Sequence, residues 1–220
     1  MSSLKSTMLS FGVMVLLWAV CFHSVTFAVV FLALLGVHEM GHYIVARALG
    51  MRVSTPVFTP VGAMINMSEM PDNAYDEALM AFGGPFVGTA GALTVLLVAW
   101  YAHLPVVEMA AKAALFLNLF NLIPLSPLDG GRICMAIDRQ LWPIGVALMV
   151  IMFALSRTSY LGVFIFLLVA HWAWKDVQAR SQLAAVDPTY FHVAVSRRVI
   201  ATSAYVSLIG FLVFTLMVAT

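Results

Sequence analysis

His38-Glu39-Met40-Gly41-His42 lies inside a long apolar run, with Val25-Thr-Phe-Ala-Val-Val-Phe-Leu-Ala-Leu-Leu-Gly-Val37 before it and Tyr43-Ile-Val-Ala46 after it. On a helix, positions i and i+4 lie about 40° apart, so both imidazoles share one face a single turn apart. Two neutral imidazoles at that spacing can bind one Zn²⁺, and the glutamate between them can reach a water at the ion. By ordinary residue usage such a pentad arises by chance in roughly one chain of this length in a few hundred. Its setting adds weight, because ionisable groups in a membrane helix are costly and mark function.

The rest of the chain explains why the setting is a membrane. Apolar residues make up 63% of it and charged ones 10%, with mean hydropathy +1.00. A soluble domain sits near about 45–50% and 25%. Apolar stretches of membrane-crossing length recur near 7–22, 25–49, 78–101, 107–122, 141–156, 159–174 and 199–219. The expected fold is an all-α polytopic membrane protein of about six or seven transmembrane helices. Lys5 followed by Met8–Phe22 resembles a signal peptide, but no small-x-small cleavage site follows, so a retained first helix is expected. The net charge of +1, and the lack of a basic stretch interleaved with aromatics, argue against a nucleic-acid partner. Cys21 and Cys134, far apart and without a C-x-x-C partner, read as small apolar fillers.

Residues 53–67 break the helical pattern. Pro56, Pro60, Gly62 and several β-branched residues predict short extended strands. The stretch is too apolar for a free surface loop, so it belongs at membrane depth, buried in protein or lining a cavity. Pro71-Asp72-Asn73 reads as a turn or helix start, and Gly83, Gly84, Gly88 and Gly91 as points of close helix approach. The polar stretch from Lys175 to Arg198 reads as a linker between the last two spans.

Lysine and arginine bias orients the spans. With the N-terminus cytoplasmic, Lys5, Arg47, Arg52, Arg132, Arg139, Lys175, Arg180, Arg197 and Arg198 fall inside, and only Lys112 and Arg157 outside. The pentad then lies nearer the cytoplasmic face, and Arg197-Arg198 meets anionic lipid at that edge.

A catalytic zinc site needs three protein ligands and an open position. Beyond His38 and His42 the candidates are Asp129, Glu69, Glu77, His103, Glu108 and His171. Asp129 stands out because it follows the fourth span on the cytoplasmic side, where Pro127, Gly130 and Gly131 let the chain turn back. It could equally cap a short helix beginning near Gly130.

At this point the chain resembles a known family. His38-Glu-Met-Gly-His42 on one span and Leu128-Asp129-Gly130 after a later one are the two signatures of site-2 proteases, the intramembrane zinc metalloproteases of peptidase family M50. The likeness takes in Pro60-Val61-Gly62, Gly84-Pro85 and the run from Asn121 to Arg132, and covers roughly residues 25–138. It implies a three-helix catalytic core there, an N-terminal membrane helix over 1–24, and peripheral C-terminal helices over 139–220 with a cytoplasmic linker at 175–198. The resemblance is to minimal bacterial members without a PDZ or CBS domain.

The resemblance further implies one Zn²⁺ per chain on His38, His42 and Asp129, with Glu39 as general base. Asn121, eight residues before the aspartate, would polarise the scissile carbonyl. Asn118, one helical turn earlier, is a second candidate for substrate contact, and Pro60 and Gly62 would border an extended substrate. Where the family often has Gly-Gly after the proline, Val61-Gly62-Ala63 stands here. The expected substrates are transmembrane proteins or remnant signal peptides, and the expected location is the bacterial cytoplasmic membrane. Two other classes compete. A catalytically silent zinc-binding scaffold would not need Glu39, and a metal transporter would need further ligands along a path through the bundle.

Overall fold

The computed structural model describes residues 2–54, 57–59, 62–64, 70–155 and 160–219. Eight α-helices carry these residues: α1 (Ser2–Phe22), α2 (Val25–Ala48), α3 (Ala74–Tyr101), α4 (Pro105–Asn121), α5 (Asp129–Ile137), α6 (Trp142–Leu155), α7 (Tyr160–Val186) and α8 (Val195–Val218). Between α2 and α3 lie two short strands, β1 (Val57–Thr59) and β2 (Gly62–Met64). Within α1, α2, α3 and α8 the described residues are long and apolar enough to cross a membrane. The chain is an all-α integral membrane protein. Its described residues fall into two compact units.

The first unit comprises Met1–Met70, Phe82–Phe120 and Leu208–Thr220. Here α2 is delimited by local chemistry at both ends. Ser24 Oγ accepts from the Phe27 amide at 3.2 Å, filling one of the orphan donors of the first turn. At the other end Gly50 takes φ +81°, and the Gly50 and Met51 amides return to the carbonyls of Arg47 and Ala46. That closing turn needs a left-handed residue, which glycine supplies without a Cβ clash. Met14, Leu32, Leu35 and Phe58 form a buried cluster that joins α1, α2 and β1.

The described strands of the 53–67 stretch, Val57–Thr59 and Gly62–Met64, are extended as the sequence predicts. β1 and β2 pair antiparallel, with Val57 opposite Met64 and Thr59 opposite Gly62. Phe58 anchors the hairpin. Its amide donates to Ser10 Oγ at 3.1 Å, its ring meets Phe11 edge-on, and the ring tip packs where a side chain at Gly36 would stand. Pro60, Glu69 and Arg157 lie outside the described residues.

The second unit comprises Pro71–Ala81 and Asn121–Ser207. Asn73 starts α3, its Oδ1 accepting from the amides of Tyr75 and Asp76 at 3.0 Å each. The loop 122–128 is pressed against α5 and α6. A Cβ on Gly130, Gly131 or Gly145 would fall 2.2–2.4 Å from backbone atoms of Leu122, Ser126 or Pro124. The stretch expected as a linker is itself folded. α7 continues twelve residues past Trp174 to Val186, and a 3-10 turn at Pro188–Phe191 buries Tyr190 and Phe191. The cause is Arg180, which gives the polar part of α7 a buried partner in Glu77. Polarity signalled solvent where the structure spends it on an ion pair.

Candidate metal centre

α2 turns Met40 and Ile44 outward, 41% and 53% exposed, and buries His38, Glu39 and His42 to 3%, 9% and 6%. The two imidazoles are therefore a turn apart on the face away from lipid. Their Nε2 atoms lie 3.1 Å apart, with the rings nearly perpendicular. A tetrahedral ion bound at about 2.0–2.1 Å holds two ligating nitrogens roughly 3.3 Å apart. The observed separation is within a few tenths of an ångström of that, so the pair fits a shared ion with little movement.

The remaining edges of both rings are set by α3 and α4. His38 Nδ1 is 2.7 Å from Asn118 Oδ1. A carboxamide oxygen only accepts, so Nδ1 carries the hydrogen and Nε2 presents its lone pair. Against the other ring, the Gly84 amide lies 3.3 Å from His42 Nδ1. The glycines make this possible. A Cβ on Gly84 would stand 2.2 Å from His42 Nε2, and one on Gly88 would stand 2.7 Å from Asn118 Oδ1. Gly84 and Gly88 are one turn apart, so one face of α3 is cleared for the imidazoles and the amide. By contrast Gly83 meets the Gly41 carbonyl, and a Cβ on either would fall 2.1–2.5 Å from the other's oxygen. Close helix approach is thus backbone to backbone at Gly83, whereas at Gly84 and Gly88 the space is taken by the His42 and Asn118 side chains of the neighbouring helices.

In the second unit Asp129 is the first residue of α5 and is 7% exposed. The capping position falls to Leu128, which makes no side-chain cap bond, so Asp129 is not the N-cap that one reading of the sequence allowed. Its rivals as third ligand are otherwise engaged or exposed. Glu77 is held by Arg180 and Tyr190, Glu108 pairs with Lys112 at 2.9 Å, and His103 and His171 face outward. His38 and His42 in the first unit and Asp129 in the second are each buried, and two imidazoles with a carboxylate are a donor set that suits zinc, a borderline ion that accepts both nitrogen and oxygen. Asn121 closes α4 and is half-buried, whereas Asn118 is 2% exposed.

The sequence singles out the pentad, Asp129 and both asparagines as candidates. It does not show that Asn118 serves His38, although a polar residue one turn from Asn121 on an apolar helix is the available signal. Nor does it show the cluster at Arg180. There the guanidinium donates to both Glu77 oxygens at 2.9 and 2.7 Å and to Asp176, and Tyr190 Oη donates to Glu77 at 2.9 Å. Burial opposes the Arg180 charge, yet the Glu77 and Asp176 carboxylates outweigh it and hold the guanidinium above its ordinary pKa. Burial, reinforced by the Glu77 charge, likewise pushes the Tyr190 phenol up.

Residues 26–104 match the model of peptidase family M50. A zinc metalloprotease of Methanocaldococcus jannaschii is 30% identical over 142 residues, which is 61% of this chain and 41% of that one. Rip3 of Mycobacterium tuberculosis and sll0528 of Synechocystis, both with zinc metalloprotease in their names, are 37% and 31% identical over 120 and 109 residues. Those matches cover 50% and 47% of this chain, and 30% and 29% of the relatives. The chain thus spans less than half the length of each.

Proposed function

We propose, from the match of residues 26–104 to the peptidase family M50 model and the likeness to named zinc metalloproteases, that this chain is a zinc metalloprotease of that family that cleaves transmembrane proteins or remnant signal peptides. The observation that carries the reading is the buried His38–His42 pair, its Nε2 atoms 3.1 Å apart and His38 fixed in its tautomer by Asn118.

In this reading His38, His42 and Asp129 hold one Zn²⁺ per chain. The bound ion supplies Lewis-acid polarisation and a nucleophilic water near neutral pH. Glu39, beside His38 on α2, takes a proton from the attacking water and returns it to the leaving amine. Asn121 donates to the oxygen of the scissile carbonyl, an effect on the order of 10²–10³ in rate where such donors have been removed. Asn118 acts one step back, as the positioning residue for His38.

A helical substrate must unwind before it can be cut, because its amides are otherwise satisfied within the helix. The β1–β2 pair, anchored through Phe58, offers an edge on which an extended segment pairs, with Gly62 on β2 and the neighbouring Pro60 as the expected substrate contacts. The charge bias supports a cytoplasmic N-terminus and a site nearer the cytoplasmic face, in a bacterial inner membrane. Water then reaches the site from the cytoplasm.

Cleavage of a panel of single-span substrates by wild type and Glu39→Gln tests the reading. The variant should cut about 10²–10⁴-fold more slowly while keeping its metal. Equal cutting by both proteins would refute it, and cutting by neither would favour a silent zinc-binding scaffold.

A further inference from the structure

Two cavities of opposite character adjoin in the second unit. One, about 510 Å³, is lined by polar and charged groups from the turn before α6, the polar end of α7, the turn before α8 and the start of α8, among them Arg139, Arg180, His192 and Arg198. The other, about 180 Å³, lies between α6 and α7 and is lined by Trp142, Val146, Met149, Val169, Ala173 and Trp174. Leu125, Trp142 and Val177 line both. Along α7 the apolar lining at 169–177 is followed by the polar lining at 176–181, and a tryptophan from each helix stands at the change. That sequence of apolar wall, tryptophan and charge is the profile of a membrane–water interface.

The charges in the polar cavity are not all spent on one another. Arg180 is committed to Glu77 and Asp176, and Asp138 accepts from the Gln140 amide. Arg139 packs its guanidinium 4.6 Å from the centre of the Phe191 ring, and Arg198 gives only its Nε to the Val193 carbonyl. Neither has an ion-pair partner among the described residues. Ser126 Oγ, from a residue 94% buried, lines the same cavity without a hydrogen-bond partner among the described residues.

We propose that these joined cavities bind one anionic phospholipid, its phosphate between Arg139 and Arg198 and the start of an acyl chain between α6 and α7. Two unpaired guanidiniums and an unsatisfied hydroxyl suit a phosphate oxygen array. The adjoining apolar cavity selects an amphiphile over a soluble anion, since a free phosphate makes no use of it. The cytoplasmic leaflet, where the charge bias puts this end of the chain, is the one rich in anionic headgroups.

Thermal unfolding of the full chain in detergent micelles, titrated with phosphatidylglycerol or with phosphatidylcholine of the same chains, is the test. Phosphatidylglycerol should raise the midpoint saturably and phosphatidylcholine should not. The exposed double variant Arg139→Gln/Arg198→Gln should unfold normally without lipid and need about 10–30-fold more phosphatidylglycerol for half the effect. Ala173→Phe, which fills the apolar cavity, should weaken the same response while leaving both arginines in place. Inorganic phosphate or glycerol phosphate should do nothing. An equal response to phosphatidylcholine, an unchanged midpoint shift in the double variant, or full stabilisation by inorganic phosphate would each overturn the proposal. The last outcome would reassign the cavity to a soluble anion.

Discussion

The two units bury polar side chains in opposite ways. In the first, the His38 and His42 rings and the Asn118 amide contact one another without any charged partner of opposite sign between them, the two Nε2 atoms facing each other across 3.1 Å. In the second, Glu77, Arg180, Asp176 and Tyr190 combine opposite charges with a hydroxyl, so each carboxylate already has a cation. Burial therefore does not distinguish a functional group from a structural one. What distinguishes them is whether the neighbours complete the group or leave it aimed at a common point.

The largest expected effect falls on the saturated cluster. Glu77→Ala takes both bidentate oxygens from Arg180, whose side chain is 12% exposed, and leaves it paired with Asp176 alone. Stranding a buried charge outright costs about 3–5 kcal/mol, so with Asp176 retained the loss should lie near the lower figure. Chemical unfolding in detergent should show that loss, while the folded fraction keeps its zinc. A cost below about 1 kcal/mol would mean that the cluster is hydrated and that the contrast between the units fails.

Next comes the face cleared for the imidazoles. Gly84→Ala places a methyl 2.2 Å from His42 Nε2, so the ring must turn or α3 must retreat. Overpacking of this kind costs about 1–3 kcal/mol, but the more telling readout is metal content, which should fall sharply. Gly83→Ala, pressed instead against the Gly41 carbonyl, should destabilise similarly and lose less zinc. If both variants bind zinc equally, the division of labour between adjacent glycines is wrong.

How much of this was legible beforehand follows from the kind of signal each feature leaves. The His38/His42 pair was plain, because helical periodicity alone puts i and i+4 on one face. The strands were plain because two prolines and a glycine exclude a helix. Asp129 was found by type and setting, though its rival role as a cap could be rejected only when Leu128 proved to occupy that position. The Glu77–Arg180 bond was not legible, since it joins residues 103 positions apart and single-sequence periodicity carries no such pairing. For the same reason the polar half of α7 read as a linker. Only the partner turns Arg180 from a solvated charge into a packing residue.

A smaller effect is expected at Asn118. Loss of a group that orients a metal-binding histidine lowers metal affinity about 10–100-fold. Asn118→Ala should show that drop in a chelator competition, with a modest change in unfolding. Asn118→Asp, which still accepts from His38 Nδ1, should restore most of the affinity. An alanine variant with wild-type affinity would show that packing against Gly88, not the hydrogen bond, is what Asn118 supplies.

The smallest effect sits at the exposed edge of the saturated cluster. Asp187 Oδ1 accepts from the amides of Thr189 and Tyr190 at 3.0 and 3.3 Å and from the Thr189 hydroxyl, and so holds the turn that delivers Tyr190 to Glu77. The Thr189 hydroxyl bond, aided by the two amides, keeps the carboxyl below its ordinary range. A lowered folded pKa means that the unfolded chain takes up the proton first as acid is added. The contribution is therefore complete above the unfolded value of about 4 and disappears as pH falls through the folded one. Unfolding midpoints between pH 6 and 3 should fall more gently in Asp187→Asn than in wild type. Parallel slopes would show that the turn is held by Pro188 and the buried rings of Tyr190 and Phe191 alone, and that the cluster's order does not extend to its solvent edge.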